Sequence, residues 1–344
     1  MSLLPRLPTL APGTAPESAI RDQFGRVKRK LRISLTDRCN FRCPYCMPEQ
    51  PEFMERADRL SRAELARVLR LFVVGLGVNR LRLTGGEPLL RRDLESIIAD
   101  TQALKAEGLE RVSLTTNAAL LARRAPALKA AGIDDLNISL DALTPATFAK
   151  LSGGRDVKPV LAGIAAAHAA GIPLKLNAVI IRGINEDEIL PLAHYAVREN
   201  LPLRFIEFMP LDGRGEWSRD RVVPQADILA QLSREFAVKA LPRGNDPAAY
   251  YQLDAGNTQQ IGIIATVTNP FCASCDRLRI TADGSLYPCL FSPRGTSLRD
   301  PMRAGADDAA LAALIRGTVW NKDAGYIAHP GYVERPIAMN SLGG

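Results

Sequence analysis

Histidine is scarce. His168, His194 and His329 are the only three in a chain of 344 residues, which leaves little for metal ligation through imidazole. No apolar run approaches the ~20 residues that a membrane span requires. The longest candidate, Val160 to Leu174, is Ala-rich and broken by Gly163, His168, Gly171 and Pro173. The N-terminus lacks the basic-then-apolar order of a secretory leader and repeats Pro and Ala instead. Residues 1–20 therefore read as a floppy arm on a cytoplasmic protein. A G-x4-G-K-[ST] loop is also missing, so phosphates cannot be held that way. Asn321-Lys322-Asp323-Ala324 only grazes a guanine-reading NKxD, with Ala where Asp is needed, and reads as a solvated loop.

What remains is a composition of 47% hydrophobic and 24% charged residues with a net charge of +7, suited to a globular protein with an anionic partner. All six cysteines fall into two triplets, Cys39/Cys43/Cys46 and Cys272/Cys275/Cys289. In a cytosolic chain of this size such grouping favours metal or redox chemistry over disulfides. The first triplet is C-x3-C-x2-C directly after a short apolar strand. Three thiolates so placed can grip three irons of a cubane iron–sulfur cluster, and no nearby fourth cysteine completes an electron carrier. One iron is left open for a small molecule. A zinc site would need a further ligand to close at four, and this loop offers no histidine. The second triplet, C-x2-C-x13-C, also stops at three; a zinc ribbon is its competitor.

Apolar strands alternate with helical patterns. Strands are predicted at 31–35, 79–84, 110–116, 135–140, 173–180 and 203–209, with helices near 61–74, 93–107, 119–131 and 158–170 and another from Asn185. Ser61-x-x-Glu64 is a capping box, and Gly108, Gly132 and Gly171 are helix stops. Alternate strand positions separate two faces. One is apolar (Leu31, Ile33; Leu81, Leu83; Val112, Leu114; Leu136, Ile138; Ile206, Phe208). The other is polar (Arg32, Ser34; Arg82, Thr84; Ser113, Thr115; Asn137, Ser139; Lys175, Asn177; Glu207, Met209). Parallel strands covered on both faces read apolar throughout, so a recurring polar face points to strands around a wet cavity. The predicted fold is α/β, an incomplete TIM-like (β/α)6 barrel over 21–235, followed by a C-terminal α+β extension over 236–344 with a hairpin at Asp283-Gly284. In such barrels ligands gather at the C-terminal strand ends, where Thr84-Gly85-Gly86-Glu87-Pro88 follows strand 2. There the glycines allow close backbone approach and Glu87 can receive a cationic amine. Arg32, Arg82 and Lys175 share the cavity-facing phase, and Arg277 and Arg279 flank the second triplet, an array a polyphosphate would neutralise.

The cysteine motif with Tyr45 before its third cysteine, followed by Gly85-Gly86-Glu87-Pro88, resembles the radical S-adenosylmethionine (SAM) superfamily. Leu31 to Asn40, Arg204-Phe205-Ile206-Glu207-Phe208-Met209, Cys272-x2-Cys275-Asp276-Arg277-Leu278-Arg279, Cys289-Leu290-Phe291 and the terminal Gly343-Gly344 are similar to the GTP 3′,8-cyclase family of molybdenum cofactor biosynthesis. The resemblance runs from about residue 21 to 344. It implies two [4Fe–4S] clusters, one on Cys39, Cys43 and Cys46 with SAM, the other on Cys272, Cys275 and Cys289 with substrate. It implies SAM contacts from Tyr45, Gly86, Ser139 and Met209, and GTP contacts from Arg32, Arg82, Thr115, Lys175, Arg277, Leu278 and Arg279. Arg277, Arg279, Gly343 and Gly344 are implied in catalysis, with the tail threaded into the active site. The implied reaction forms (8S)-3′,8-cyclo-7,8-dihydroguanosine 5′-triphosphate after a 5′-deoxyadenosyl radical takes the ribose C3′ hydrogen. An external low-potential electron donor and a downstream cyclic pyranopterin monophosphate synthase are the implied partners; nucleic acid and membrane are not, and a homodimer is allowed. Ala118 stands where the family commonly has Gly, and Asp276 where Asn is common. A peptide-modifying radical SAM enzyme, a basic zinc protein binding nucleic acid and a SAM methyltransferase are the competing readings.

Overall fold

The computed structural model describes residues 19–211, 214–244, 246–254, 258–326 and 337–343. Gly344 and most of the expected arm lie outside these residues; Ile20, at the arm's edge, is fully buried. Six parallel strands run in chain order: β1 (Lys30–Ser34), β2 (Arg80–Thr84), β3 (Arg111–Thr116), β4 (Asp135–Ser139), β5 (Leu174–Ile180) and β6 (Leu203–Glu207). Helices α1 (Arg62–Arg70), α2 (Leu94–Gln102), α3 (Leu121–Ala130), α4 (Pro145–Ser152), α5 (Lys158–Ala169), α6 (Ile189–Arg198) and α7 (Gln225–Leu232) belong to this half. The predicted capping box opens α1, Ser61 Oγ accepting from Glu64 N while Glu64 accepts from Ser61 N.

The C-terminal segment does not stand apart. It contributes β7 (Ala237–Ala240), β8 (Ala249–Asp254), β9 (Thr258–Ile264), β10 (Arg277–Ile280), β11 (Ser285–Tyr287) and β12 (Thr296–Ser297), then α8 (Arg299–Arg303), α9 (Asp308–Trp320) and α10 (Met339–Leu342). One twelve-stranded sheet results, ordered β12-β11-β10-β1-β2-β3-β4-β5-β6-β9-β8-β7. β10 pairs parallel with β1, and β9 parallel with β6, so the extension lengthens the barrel wall at both edges. The expected hairpin joins β10 to β11.

The two-faced strands behave as read, with one exception. Leu31, Ile33, Leu83, Val112, Leu114, Leu136, Ile138 and Leu176 are fully buried in the core. Each such side chain withdrawn from water stabilises by about 1.5–3 kcal/mol. On β6 the phase is the reverse of the expectation. Leu203 and Phe205 are the fully buried core residues. Register aligns Asn177 with Arg204 and Val179 with Ile206, so Arg204 and Ile206 face the cavity. Counting from Ile206-Phe208 instead of Leu203-Phe205 slips the period by one and flips the strand.

Candidate active site between two cysteine loops

A cavity of about 410 Å³ opens inside the curved sheet, and all six cysteines line it from two sides: Cys39, Cys43 and Cys46 from one, Cys272, Cys275 and Cys289 from the other. That volume lies in the range of small-molecule sites, roughly 300–1,000 Å³. The first cysteine loop leaves β1 and is held from three directions. Arg42 N donates to Ser152 O (3.0 Å) at the end of α4, and Phe41 meets Phe148 edge-on at 5.9 Å. From β2's end, Gly86 N donates to Thr36 O (2.7 Å) and Glu87 N to Arg38 O (2.8 Å). Both glycines are required there. A Cβ on Gly85 would sit 2.4 Å from Thr36 O at φ +148°, and one on Gly86 would sit 2.4 Å from Arg38 O.

Phe41 N (3.4 Å) and Asn117 Nδ2 (3.8 Å) donate to Cys39 Sγ. Burial pushes the Cys39 thiol up to about 11 and Cys46 to about 12, and raises Cys43 well above the usual thiol range. A bound cluster would hold these thiolates deprotonated, supplying the positive charge that the buried loop otherwise lacks. Each triplet offers three thiols and no histidine among them, a donor set that suits an iron–sulfur cluster with one open iron better than a closed four-coordinate zinc site.

The expected SAM residues Tyr45, Gly86, Ser139 and Met209 all line the cavity. Tyr45 Oη donates to Asp141, whose carboxyl burial raises to about 6 and whose other oxygen accepts from Val179 N. Glu87, expected to receive an amine, is fully buried and does not line the cavity. Its carboxylate accepts from Leu89 N, Thr116 Oγ1 and Asn117 N, clasping the β2 loop to the end of β3.

Of the expected GTP residues, Arg32, Arg82, Thr115, Lys175, Arg277 and Arg279 line the cavity. Leu278 does not: it is fully buried beside Leu31 on the opposite face, so only its backbone can meet a ligand. Thr115 Oγ1 is buried without a hydrogen-bond partner among the described residues. Burial, then repulsion from Arg279, Arg82, Arg277 and Arg204, pulls the Arg32 guanidinium's pKa well down. Burial and Arg204 bring Arg82 to about 10. Sequence reasoning gave no role to Lys30, Arg80, Arg111, Asp135 or Arg204, which also line the space. The first three follow from extending the cavity phase one step back along β1, β2 and β3. Asp135 pairs with Arg111 (2.6 Å) and Lys175 (3.5 Å), while Arg204 donates to Asn177 (2.9 Å) and Asn137 (2.7 Å).

The second cysteine loop is wrapped in cations. Burial alone would raise the Cys275 thiol, but Arg277, Lys322 and Lys28 bring it down to about 5. Arg277 Nη2 lies 3.6 Å and Lys322 Nζ 3.8 Å from its sulfur. Lys322, expected in a solvated loop, is 1% exposed and also donates to Pro288 O (2.7 Å). Arg26 donates to Cys272 O (2.9 Å), Asp323 O and Ala324 O, and Lys28 to Cys275 O (2.7 Å). The tail reaches the same chamber: Arg279 Nη1 donates to Gly343 O, and a Cβ on Gly343 would meet Thr84 Cγ2 at 2.4 Å. Asp276, the first departure, pairs with Lys30 at 3.1 Å across the β10–β1 seam. Ala118, the second, takes the left-handed φ of +61° that glycine favours.

A radical SAM superfamily model matches residues 33–196, and a "Molybdenum Cofactor Synthesis C" model matches 201–327. A GTP 3′,8-cyclase of Corynebacterium glutamicum is 47% identical, covering 94% of this chain and 89% of the relative. One of Streptomyces coelicolor is 44% identical over 94% and 96%. A Mycobacterium bovis relative named GTP 3′,8-cyclase 2 is 43% identical over 98% and 94%. Among solved structures, Streptococcus suis SuiB bound to S-adenosylmethionine has a TM-score of 0.55 at 15% identity, covering 84% of this chain and 68% of SuiB, a likeness of fold.

Proposed function

The chain belongs to the GTP 3′,8-cyclase family of radical SAM proteins, and from that premise we propose how its cavity divides the work. Its reaction converts GTP to (8S)-3′,8-cyclo-7,8-dihydroguanosine 5′-triphosphate, the first step of molybdenum cofactor biosynthesis. The observation that carries the reading is one cavity with a cysteine triplet at either side and cationic strand positions between them.

Cys39, Cys43 and Cys46 would hold a [4Fe–4S] cluster beside SAM, and Cys272, Cys275 and Cys289 a second facing the substrate. When bound, the first cluster and SAM would supply the radical that takes the ribose C3′ hydrogen; C3′ would then bond to guanine C8, and one further electron and one proton would complete the dihydro product. The protein's own contribution is placement and exclusion of water. Tyr45, Gly86, Ser139 and Met209 seat SAM, Tyr45 being fixed by its bond to Asp141. Arg32, Arg82 and Lys175 take the triphosphate. Mutual repulsion among Arg32, Arg82, Arg204, Arg277 and Arg279 is relieved when a polyanion arrives, which favours binding through charge-assisted hydrogen bonds. Asp135 keeps Lys175 and Arg111 from collapsing onto other partners before then. Thr115 offers its unpartnered hydroxyl to the substrate. Arg277 lies over the Phe271 ring (4.7 Å) beside Cys275, and Gly343 O accepts from Arg279. Residues 21–235 act as the SAM-binding core and 236–344 as the substrate-side domain.

The electron comes from an external low-potential donor, and the product passes to a cyclic pyranopterin monophosphate synthase. Self-association as a homodimer belongs to the same proposal and is checked by light scattering. The deciding experiment is anaerobic incubation of reconstituted protein with SAM, reductant and GTP. 5′-Deoxyadenosine should form in a GTP-dependent burst together with the cyclised nucleotide. SAM cleavage indifferent to GTP would overturn the substrate.

A further inference from the structure

One buried acid ties together the two halves of the chain. Glu207 is the last residue of β6 and is fully buried. Ile206 before it faces the cavity, whereas the Glu207 carboxylate reaches two segments outside its own strand. Its Oε1 accepts from Gln225 N (3.1 Å), at the start of α7, and from Thr268 Oγ1. Its Oε2 accepts from Val267 N and Thr268 N, both at 2.9 Å. Three of these donors are backbone amides, which no change of rotamer can redirect. The side chain therefore fixes main chain to main chain.

The place of this tie gives it a meaning beyond support. The register of β6 with β9 ends at Ile206 and Ile264. Past that point the chain leading to Met209 and the chain leading to Cys272 have no ladder between them, and Glu207 carries the connection on. Met209, an expected SAM contact, lies two residues further along and lines the cavity. On the other side Thr266 lines the cavity, and Val267 and Thr268 lead into Phe271, whose ring lies 4.7 Å from the Arg277 guanidinium. Glu87 is the contrast: its donors Leu89, Thr116 and Asn117 all belong to the SAM-side half. Bonds within one half hold one site, but bonds that cross from residues 21–235 to 236–344 bear on the distance between two.

We propose that Glu207 is a positioning residue that sets the spacing between the SAM side and the GTP side of the cavity, and so commits each radical to the substrate. This rests on the cyclase reading above. In the transfer concerned, one C–H bond breaks at ribose C3′ and one forms at C5′ of the deoxyadenosyl group, with no net change in electrons. Such a transfer depends steeply on placement, and an error of about 1 Å can cost about 100-fold. Each side keeps its own binding residues when Glu207 is altered. Affinity for SAM and GTP should then persist while the passage of hydrogen between them fails.

The test compares full-length, reconstituted Glu207→Gln with wild type, with a thiol present to supply hydrogen to any radical that misses its target. Iron and sulfide loading and KM for SAM and GTP should stay within about twofold of wild type. 5′-Deoxyadenosine formed per cyclised nucleotide should rise about fivefold or more. With GTP deuterated at C3′, the share of 5′-deoxyadenosine carrying deuterium should fall in step. In the metal-free protein, hydrogen exchange at the Val267 and Thr268 amides should quicken about tenfold. An unchanged ratio in a fully loaded variant overturns the role, even if turnover drops, and so does wild-type exchange at both amides. Should Glu207→Gln fail to load, Thr268→Val decides, because it removes one hydroxyl donor and keeps the backbone bonds. Its ratio should rise about twofold, and a wild-type ratio overturns the proposal. Wild-type SAM cleavage that ignores GTP would instead sink the underlying cyclase reading.

Discussion

Glu87 shows how one buried carboxylate can serve structure where a ligand contact was expected. Burial raises its pKa from the usual 4.5 to about 7, against the pull of donors from Asn117, Leu89 and Thr116. A raised folded-state pKa means the stability it contributes is full below 4.5 and is lost as pH rises through about 7. Urea unfolding of the metal-free protein should therefore show stability declining across that window. Glu87→Gln should flatten that decline and, by turning an amide N–H₂ toward a backbone donor, cost about 1–3 kcal/mol at pH 5. An unchanged pH slope in the variant would assign the titration elsewhere. Lys322 makes the complementary case. Lys322→Met removes a cation 3.8 Å from Cys275 Sγ and orphans Pro288 O, so the second site should lose its iron while the first keeps it. Roughly half the iron and labile sulfide should remain, with helical circular dichroism intact. The cysteines themselves were legible because their spacing is chemical information carried within two short stretches of sequence, 39–46 and 272–289. Lys322 was not, since its partners come from positions 275 and 288 and no local pattern reveals them. Glu87 could be placed on the right loop from its neighbours, but the direction of one side chain depends on where Thr116 and Asn117 arrive.

At the scale of elements, the strands were readable because a period of two survives every local irregularity. The exceptions have definite causes. α4 is only eight residues long, though Pro145 in its first turn and Gly153 at its C-cap, φ +75°, were present as signals. β6 was read out of phase because Ile206 and Phe208 are as apolar as the true core pair, Leu203 and Phe205; only pairing with Asn177 and Val179 resolves the choice. The loop after β2 was read as close to a ligand, whereas its glycines first permit closeness to the neighbouring cysteine loop. Gly85→Ala should thus act on that joint. A Cβ 2.4 Å from Thr36 O at positive φ cannot be relieved by a side-chain rotation, so backbone must move, at a cost of about 2 kcal/mol or more. Thermal unfolding should shift downward, and iron should be lost from the first site in preference to the second. A variant with wild-type melting and full first-site loading would show that the joint has slack.

At the scale of the whole molecule, the C-terminal segment lengthens the barrel wall at both edges. Six β-α units were visible in the sequence, but not that β10 and β9 would extend opposite edges of one sheet, because those pairings join residues far apart in the chain. The tail and residues 22–28 then pack against this wall. Removing Gly343 and Gly344 takes away Gly343 O, the nearer of the two tail carbonyls that Arg279 meets, without touching either cysteine loop. Both sites should load normally by iron and sulfide assay while cyclised product disappears; full turnover would free the tail of any role. The contact made by residues 22–28 centres on Asp22. Its fully buried carboxylate pairs with Arg26 and Lys28, each at 2.6 Å, and also accepts from Phe24 N and Arg26 N. Those two cations in turn hold the carbonyls of Cys272, Cys275, Asp323 and Ala324, so a single acid organises the contact between residues 22–28 and the second cysteine loop. Asp22→Ala leaves two buried cations uncompensated, which should cost about 3–5 kcal/mol. Arg62→Ala breaks an equally short pair with Asp100, but one half-exposed at its arginine, and should cost less than about 1 kcal/mol. Denaturant titration of the two variants measures the contrast directly. If Asp22→Ala proves as mild as Arg62→Ala, the N-terminal residues are attached to the second loop rather than supporting it, and the loading of Cys272, Cys275 and Cys289 should then be indifferent to them.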